Sequence, residues 1–328
     1  MDNKITKKRL GNLFAYDWIM MLIAMVVIVI GWEFLYALTS VRITAGQGFY
    51  YYYDYEINGG NDTAFKGYLN DTFSYDILEW GGESMPTEAV NQDVIELRYA
   101  SNEVDVVFTS TLEVKNEETG YMASRAKKII DLYDAYDFRE LYKDCEKYLK
   151  QFLTNENASV LDFNNYSESK IKAYFHNRQA SDNRYKWKQI TEQDEINRIK
   201  KLSSELADFK TILDFESNLS KEESIFYYYH KYEFSLTKET TSSQKASYQE
   251  KYDLEGGEKA FGLKLEKLPK SDKLNAPDVN AFFRMTNASD SKNVILTVFN
   301  VTHVQPDLQF ETISFVNTVV RTFSSILN

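Results

Sequence analysis

The sequence predicts an α/β domain that follows a single transmembrane helix. Three observations lead to this prediction. An apolar run extends from Trp18 to Leu38, the spacing of apolar residues changes from strand to helix and back between Phe73 and Phe108, and apolar residues recur at helical spacing through the middle of the chain. The 328 residues leave room for one membrane segment and about two domains.

The apolar run is long enough to cross a bilayer only when it is taken as a whole. Ile19 to Trp32 is uncharged, but at about 1.5 Å per residue it spans only about 21 Å of a hydrocarbon core roughly 30 Å thick. Extension to Leu38 closes the gap, brings Glu33 near the outer interface, and sets aromatic residues at both boundaries (Trp18, Trp32 and Tyr36). We therefore predict one spanning helix, Trp18 to Leu38.

The charges beside this run predict its orientation. The basic residues before it are Lys4, Lys7, Lys8 and Arg9, whereas only Arg42 follows closely. The positive-inside rule makes residues 1–17 a cytoplasmic tail, residues 39–48 a linker, and residues 49–328 an extracytoplasmic domain of one or two lobes at the cell membrane. A cleaved signal peptide is the alternative, but Leu38-Thr39-Ser40 and Ile43-Thr44-Ala45 are poor cleavage sites.

The composition limits the partners of the domain. Beyond residue 17 the chain has 34 basic and 47 acidic side chains, a net charge of −13, so it should repel nucleic acid. Cys145 is the single cysteine, which excludes an intramolecular disulfide. The fold must therefore rest on its hydrophobic core.

An aromatic strand is predicted at the start of the domain. The run FYYYYDYEI, residues 49–57, is followed by Asn58-Gly59-Gly60, which is typical of a strand and a turn. Successive side chains of a strand alternate between faces, so at most half of these tyrosines could form a sugar-binding platform. We expect them mainly in the core or at an interface.

A βαβ unit is predicted next. FSYDILEW, residues 73–80, has the composition of a strand, and GGESMP that of a loop. Pro86 suits the first turn of a helix that ends near Ser101, and VDVVF, residues 104–108, is a second strand. This order implies a helical crossover between two parallel strands.

The ends of these two strands are the predicted binding site. Ligands of parallel sheets collect beyond the carboxyl ends of the strands, where backbone amides are available. Thr109 and Ser110 stand at the end of one strand, and Trp80 stands with Gly81, Gly82 and Ser84 at the end of the other. The alternative for Thr109 and Ser110 is that they cap the next element.

The rest of the domain alternates between helices and strands. Helices are predicted over residues 127–153 and over 196–213, with a capping-box turn at Ser220 and Glu223. Strands are predicted from Phe226, in residues 259–269 and in residues 292–300, and the chain should end in a helix over residues 307–327.

Signatures of catalysis are missing from the sequence. The three histidines, His176, His230 and His303, are far apart and have no metal-binding spacing. The chain has no G-x-S-x-G elbow, no P-loop and no G-x-G-x-x-G motif, and Cys145 lies in a charged helical segment. We predict a protein that is not an enzyme and that holds no metal or cofactor.

The run DVIELRYASNEVDVVFTS, residues 93–110, resembles the early lobe of extracellular solute-binding proteins of ABC transporters. These proteins often have a helix ending in an L-x-x-A-S-G-E-like phrase before a D-V-V-F-like strand. Here Leu97, Ala100, Ser101 and Glu103 match it, Asn102 replaces the glycine, and residues 105–108 form the strand; AFGLKLEKLP, residues 260–269, also resembles a late segment of the family. Less than a tenth of the chain is covered, a spanning helix replaces the usual lipobox cysteine, and the chain is shorter than most sugar-binding members.

The resemblance implies a membrane-anchored binding protein beside an ABC transporter permease, with a sugar or a peptide as ligand. Trp80 would then be the stacking surface, and Ser84, Thr109 and Ser110 would donate hydrogen bonds. The alternative is a structural or interaction ectodomain that kept the fold and lost the ligand.

Overall fold

The computed structural model describes residues 7, 11, 18–39, 48–59, 79–85, 88–101, 103–115, 122–133, 135–181, 189–231, 257–273, 276–299 and 309–327. Its first helix, α1 (Trp18–Thr39), covers the predicted apolar run. By length and composition its segment Trp18–Tyr36 could cross a membrane, and every side chain there is exposed. The helix is therefore no part of the domain's core. The orientation, the tail and the linker stay predictions.

The domain is a mixed α/β structure with helices on both faces of a six-stranded sheet. The strands within the described residues are β1 (Gly48–Tyr53), β2 (Ile57–Gly59), β3 (Glu79–Ser84), β4 (Val106–Ser110), β5 (Val114–Lys115), β6 (Met122–Ala123), β7 (Phe226–Tyr229), β8 (Lys259–Lys264), β9 (Phe283–Met285) and β10 (Val294–Val298). The order in the main sheet is β3-β1-β4-β10-β8-β7, while β2 pairs with β9 and β5 with β6.

The helices divide between the two faces of the sheet. They are α2 (Glu88–Ala100), α3 (Arg125–Leu132), α4 (Phe138–Lys150), α5 (Glu168–Ser181), α6 (Glu192–Ser217), α7 (Val279–Phe282) and α8 (Gln309–Phe323). Side chains of α4, α5, α6 and α8 share a core with Phe49, Tyr51 and Phe108 of the sheet. Side chains of α2 and α3 share a smaller core with Tyr52 and Val107 on the opposite face.

The predicted parallel arrangement of the βαβ unit is confirmed, with one difference. Strands β3 and β4 are joined through α2, and each pairs in parallel with β1. The two strands are thus parallel but not adjacent, because β1 lies between them. The other half of the sheet is antiparallel, since β10 pairs antiparallel with both β4 and β8.

The prediction of a loop at GGES was wrong, because Gly81 to Ser84 belong to β3. The glycines fit a strand here because of the aromatic neighbour: a Cβ on Gly82 would lie inside contact distance of the Tyr51 ring. The missing side chain leaves room for that ring. The predicted start of the strand at Phe73 lies outside the described residues.

The tyrosines of β1 alternate between the two cores, as predicted for a strand. Tyr51 and Tyr53 pack with the larger core and Tyr52 with the smaller one, and all three are buried. Tyr50 is partly buried against the smaller core. Most of this aromatic run is therefore core and not a ligand platform.

The single helix predicted over residues 127–153 is in fact two, α3 and α4. Between them Ala135 bridges Phe299 in antiparallel fashion, and the Tyr136 N–H donates to the Val298 carbonyl (2.9 Å). Asp137 then starts α4 by accepting from the backbone N–H groups of residues 139 and 140 (2.9 and 3.0 Å). Pairing with the end of β10 thus breaks the helix.

The spacing of apolar residues predicted the remaining helices and strands well. The helix predicted over 196–213 is confirmed within α6, which begins at a capping box formed by Thr191 and Asp194. Ser220 and Glu223 form the predicted turn through a hydroxyl-to-carboxylate hydrogen bond of 2.9 Å. The late strands and the terminal helix are confirmed as β7, β8, β10 and α8.

Candidate functional site

The backbone separates the four residues predicted to bind a ligand. Ser84 pairs with Tyr53, which in turn pairs with Phe108, so Ser84 lies level with the residue just before Thr109. Trp80 pairs with Phe49, four residues earlier along the sheet. At about 3.3 Å per residue, its Cα lies about 13 Å from the level of Ser84. The side chains of Trp80 and Ser84 lie outside the described part of the chain.

The hydroxyls of Thr109 and Ser110 contact the protein itself. Both residues are fully buried. Thr109 Oγ1 donates to Asp54 Oδ2 (2.9 Å), and Ser110 Oγ accepts from the Leu112 N–H (3.0 Å) in the turn after β4. A buried strand therefore ends on hydroxyls here because one bonds a buried carboxylate and the other closes a turn. Their part in ligand binding stays a prediction.

The carboxylate that Thr109 contacts is the centre of a buried polar cluster. Asp54 directly follows β1 and is fully buried, and Arg125 is the first residue of α3. Arg125 Nε and Nη2 lie 3.0 and 3.2 Å from the two oxygens of Asp54. The guanidinium also lies over the Tyr55 ring, 5.2 Å from its centroid. The cluster fixes the start of α3 against the carboxyl ends of β1 and β4.

An open groove lies next to this cluster, on the sheet face that α2 and α3 partly cover. It has a volume of about 450 Å³ and is lined chiefly by β7, β8, β10, α3 and the turn after β4. We call this cavity the tyrosine groove. The residues that line it include Thr111, Glu113, Lys127, Lys221, Tyr227, Tyr229, Glu258, Lys264, Glu266, Lys267, Asn293 and Ile295. The volume is within the range of small-molecule sites.

The register of the sheet connects the groove to the polar cluster. Thr109 of β4 pairs with Ile295 of β10, and Ile295 pairs with Lys264 of β8. Paired residues point to the same face, so these three side chains form a row across the sheet. The end of β4 at Thr109 and the groove therefore lie on the same face of the sheet, with β10 between Thr109 and Lys264.

Two tyrosines of β7 line the groove side by side. The rings of Tyr227 and Tyr229 are nearly parallel, at 16°, with centroids 6.4 Å apart. Tyr229 is buried and donates from its hydroxyl to Asp131 on α3 (3.1 Å), whereas Tyr227 is partly exposed. Gly262 leaves room behind them, because a Cβ there would lie 2.7 Å from Ile295 Cδ1 and 3.4 Å from Tyr227 Cβ.

The charged side chains of the groove are unevenly paired. Lys127 bonds Glu113 (2.6 Å) and Lys221 bonds Glu258 (2.7 Å). Lys264 donates to the Ser224 carbonyl (3.2 Å), and within the described residues neither Lys264 nor Lys267 forms an ion pair. Burial and the neighbouring Lys267 ammonium lower the pKa of Lys264. Glu216 and Glu266 partly oppose this shift. The groove thus contains two close positive charges that form no ion pair within the described chain.

A second cavity, of about 460 Å³, lies on the opposite face of β7. Its central acid, Glu216, already accepts from the Ser224 hydroxyl, the Ile225 N–H (2.9 Å) and the Tyr228 hydroxyl (3.1 Å). Arg139 Nη2 donates to the same Tyr228 oxygen (2.9 Å). These groups bond one another and hold α6 to β7, so we regard the tyrosine groove as the better ligand site.

Two other kinds of group could take part in chemistry, a cysteine thiol and a cluster of metal ligands. Cys145 is buried in α4, and burial raises the pKa of its thiol well above the ordinary value, so the thiol stays neutral. Within the described ranges no three His, Cys, Asp or Glu side chains come together as a metal site would require. Neither the buried thiol nor these side chains indicate a catalytic site within the described part of the chain.

The sequence did not single out the tyrosine groove. It contained one signal, the alternation in FYYYH that sends Tyr227 and Tyr229 to one face. Comparison with known proteins finds no matching family model, no matching curated protein and no matching solved structure.

Proposed function

We propose that this protein is a membrane-anchored, extracytoplasmic binding protein that takes a small polar ligand into the tyrosine groove. The observation on which the proposal rests is the groove itself, since it joins an aromatic surface to charged and polar groups in one cavity of about 450 Å³. Such a combination is typical of sites that bind small molecules.

The groove offers each type of contact that a sugar or a peptide needs. Tyr227 offers a partly exposed ring for stacking, and Ile295 closes the floor. Thr111 and Asn293 lie at the rim, where the Thr111 N–H donates to the Asn293 carbonyl (2.8 Å) and ties the turn after β4 to β10. The rim is therefore held in place before a ligand arrives, which reduces the entropy cost of binding.

We further propose that the anchor sets the protein beside an ABC transporter permease, as the resemblance to solute-binding proteins implies. The resembling residues 97–108 span the end of α2 and most of β4, the strand that pairs with β1 and β10. An exposed apolar helix at residues 18–36 supports membrane attachment. The periplasmic-binding-protein-like fold, the transporter partner and a sugar or peptide cargo all belong to this proposal.

The second candidate is an ectodomain that binds a partner protein and no solute. It is favoured by the contacts of Thr109 and Ser110, because both hydroxyls bond groups of the protein itself and not an open cavity. A thermal-shift screen of the detergent-solubilised full chain against neutral sugars, acidic sugars and short peptides separates the two candidates.

If the ligand binds in the groove, the variants of Tyr227 should differ in their response to ligand in that screen. The unmodified chain should be stabilised by at least one ligand class, Tyr227→Ala should abolish the shift, and Tyr227→Phe should keep it because the ring remains. A chain that no ligand stabilises, or a Tyr227→Ala variant that responds like the unmodified chain, would overturn the proposal. In the first case the interaction-ectodomain candidate takes its place.

A further inference from the structure

We propose that the ligand of the tyrosine groove is an anionic saccharide, with its ring on Tyr227 and its carboxylate or phosphate between Lys264 and Lys267. This inference rests on the proposed function and adds the charge and the chemical class of the ligand. It is drawn from the distribution of charge, from the shape of the turn after β8 and from the aromatic surface of β7.

The charge distribution singles out the two lysines. The whole chain has a net charge of −11, and two of the four lysines that line the groove are paired with acids. Lys127 and Lys221 are neutralised by Glu113 and Glu258. Lys264 and Lys267 make no ion pair within the described chain, although Glu266 lies between them in sequence. An incoming anion would give both ammonium groups the ion pair that neither forms with the described chain.

The turn after β8 brings these two lysines close together. Residues Leu265–Lys267 form a 3₁₀ helix, and Lys264 is its N-cap. Lys264 and Lys267 therefore lie at the two ends of one short turn. After burial, the Lys267 ammonium is the second cause of the lowered pKa of Lys264, while Glu216 and Glu266 oppose the shift. Neutralisation by an anion would remove this repulsion.

The side chain of Lys264 is also held in place by a hydrogen bond. Its ammonium donates to the Ser224 carbonyl (3.2 Å), which uses one of three N–H groups and leaves two for a ligand. Charged hydrogen bonds of this kind are stronger than neutral ones. An oxyanion held by both lysines would therefore gain affinity and orientation.

The distance from the lysines to the aromatic surface suits a small ring. Tyr227 pairs with Gly262, and Lys264 lies two residues further along β8, or about 7 Å at the usual rise of a strand. One sugar ring with its exocyclic acid group can fill that gap. The apolar C–H face of the sugar would lie on Tyr227, and its hydroxyls would face Thr111 and Asn293 at the rim.

Calorimetric titration of the detergent-solubilised full chain tests the inference. The probes are glucose as the neutral sugar, glucuronate as the carboxylate, glucose 6-phosphate as the phosphate, and inorganic phosphate as the anion without a ring. We expect glucuronate or glucose 6-phosphate to bind about tenfold more tightly than glucose or inorganic phosphate. Whichever anion prevails identifies the acid group of the ligand.

Variants assign the effect to the two lysines. Lys264→Gln and Lys267→Gln should each reduce the preference for the anionic sugar about tenfold, while Lys264→Arg should retain it. Lys143→Gln, an exposed lysine on α4, is the matched control and should change nothing. The Gln variants replace partly or fully exposed lysines, and a circular dichroism spectrum checks that they fold.

Failure of the anionic ligand, of the saccharide and of the proposed function would each give a different result in these titrations. Glucose binding as tightly as glucuronate and glucose 6-phosphate would overturn the anionic inference and leave the proposed function standing. Inorganic phosphate binding as tightly as glucose 6-phosphate would overturn the saccharide part. If no probe of any charge binds, and the wider ligand screen is also negative, the proposed function itself is wrong.

Discussion

Arg125 and Asp54 form a two-point ion pair at the carboxyl end of β1, where both residues are almost completely removed from solvent. The pair joins the first residue of α3 to the end of the central aromatic strand, and Thr109 of β4 adds a third contact. This contact fixes the wall of the tyrosine groove, because Lys127 and Asp131 lie on the same helix. The stability of the cluster should therefore affect both folding and ligand binding.

Removal of one partner of this pair should destabilise the fold strongly. Arg125→Met would leave the Asp54 carboxylate buried without its countercharge, so we expect a loss of about 3 to 5 kcal/mol in the free energy of unfolding. Urea denaturation of the solubilised protein measures it. The double variant Asp54→Asn/Arg125→Met should recover part of the loss, because no charge is then left unpaired.

The matched control is Lys127→Met, two residues along the same helix. Its ion pair with Glu113 is partly exposed, so the expected loss is below about 1 kcal/mol. Similar small losses in Arg125→Met and Lys127→Met would contradict the structural role assigned to the buried pair.

The stability of the domain should depend on pH through Asp105. This residue precedes β4, is 4% exposed, and accepts from the Tyr50 N–H (2.7 Å). Burial raises its pKa to about 7, while the hydrogen bond from Tyr50 opposes the shift. In the unfolded chain the pKa should be about 3.9. The folded chain thus keeps a proton between about pH 4 and pH 7 that the unfolded chain has released.

The sign of the effect follows from this difference. The stabilising contribution is complete below about pH 4 and is lost as the pH rises through 7, at a slope of at most about 1.4 kcal/mol per pH unit. Asp105→Asn is neutral at every pH and can keep the contact with Tyr50. The variant should therefore be more stable than the unmodified protein at pH 8 and close to it at about pH 4, as measured by urea denaturation.

Asp194 provides a control of opposite sign. Hydrogen bonds from Thr191 lower its pKa, so its contribution is present at neutral pH and is lost as the pH falls. Asp194→Asn should destabilise the protein at pH 8, where Asp105→Asn stabilises it. Equal responses of the two variants to pH would refute the assignment to Asp105.

Gly82 should not tolerate a larger residue. A Cβ at this position collides with the ring of Tyr51, which is itself buried between the sheet and α8 and cannot move aside. We expect Gly82→Ala to cost about 1 to 3 kcal/mol by overpacking. Thermal unfolding measures the change.

Gly262→Ala is the comparison for this prediction. The nearest atom to its added Cβ is the terminal carbon of Ile295 (2.7 Å), the end of a flexible aliphatic side chain that borders the groove. The loss should be smaller than at Gly82. A larger loss at Gly262 would show that Ile295 is less adaptable than the Tyr51 ring.

The predicted membrane topology can be checked on whole cells. The protein should stay in the membrane fraction after an alkaline carbonate wash, and protease added to intact protoplasts should digest the domain while an N-terminal tag inside stays protected. Release by carbonate, or resistance of the domain to protease, would contradict the topology. Loss of the N-terminal tag during maturation would indicate the cleaved signal peptide instead.

The sequence by itself determined the elements whose signal is local. The apolar run of α1, the helical spacing in α6, and the short apolar strand β4 were all predicted within a few residues. Each depends on the period of its own side chains, which is 3.6 residues for a helix and 2 for a strand. The alternation of the tyrosines in β1 was predicted for the same reason.

Only the tertiary structure decided where these elements meet. Gly81 to Ser84 resemble a loop, yet they form a strand that pairs with β1, and the Tyr51 ring fills the space left by Gly82. The break between α3 and α4 depends on pairing with the end of β10, more than 150 residues away in sequence.

The candidate site shows the same division most clearly. The sequence pointed to the hydroxyls at the end of β4, but their hydrogen bonds depend on Asp54, which is 55 residues away from Thr109. The groove unites residues from Thr111 to Ile295 that no local pattern connects. Its charge balance and aromatic surface arise only because sheet pairing brings β7, β8 and β10 together. Such pairing is set by the burial of residues far apart in sequence, and the local spacing of apolar residues does not determine it.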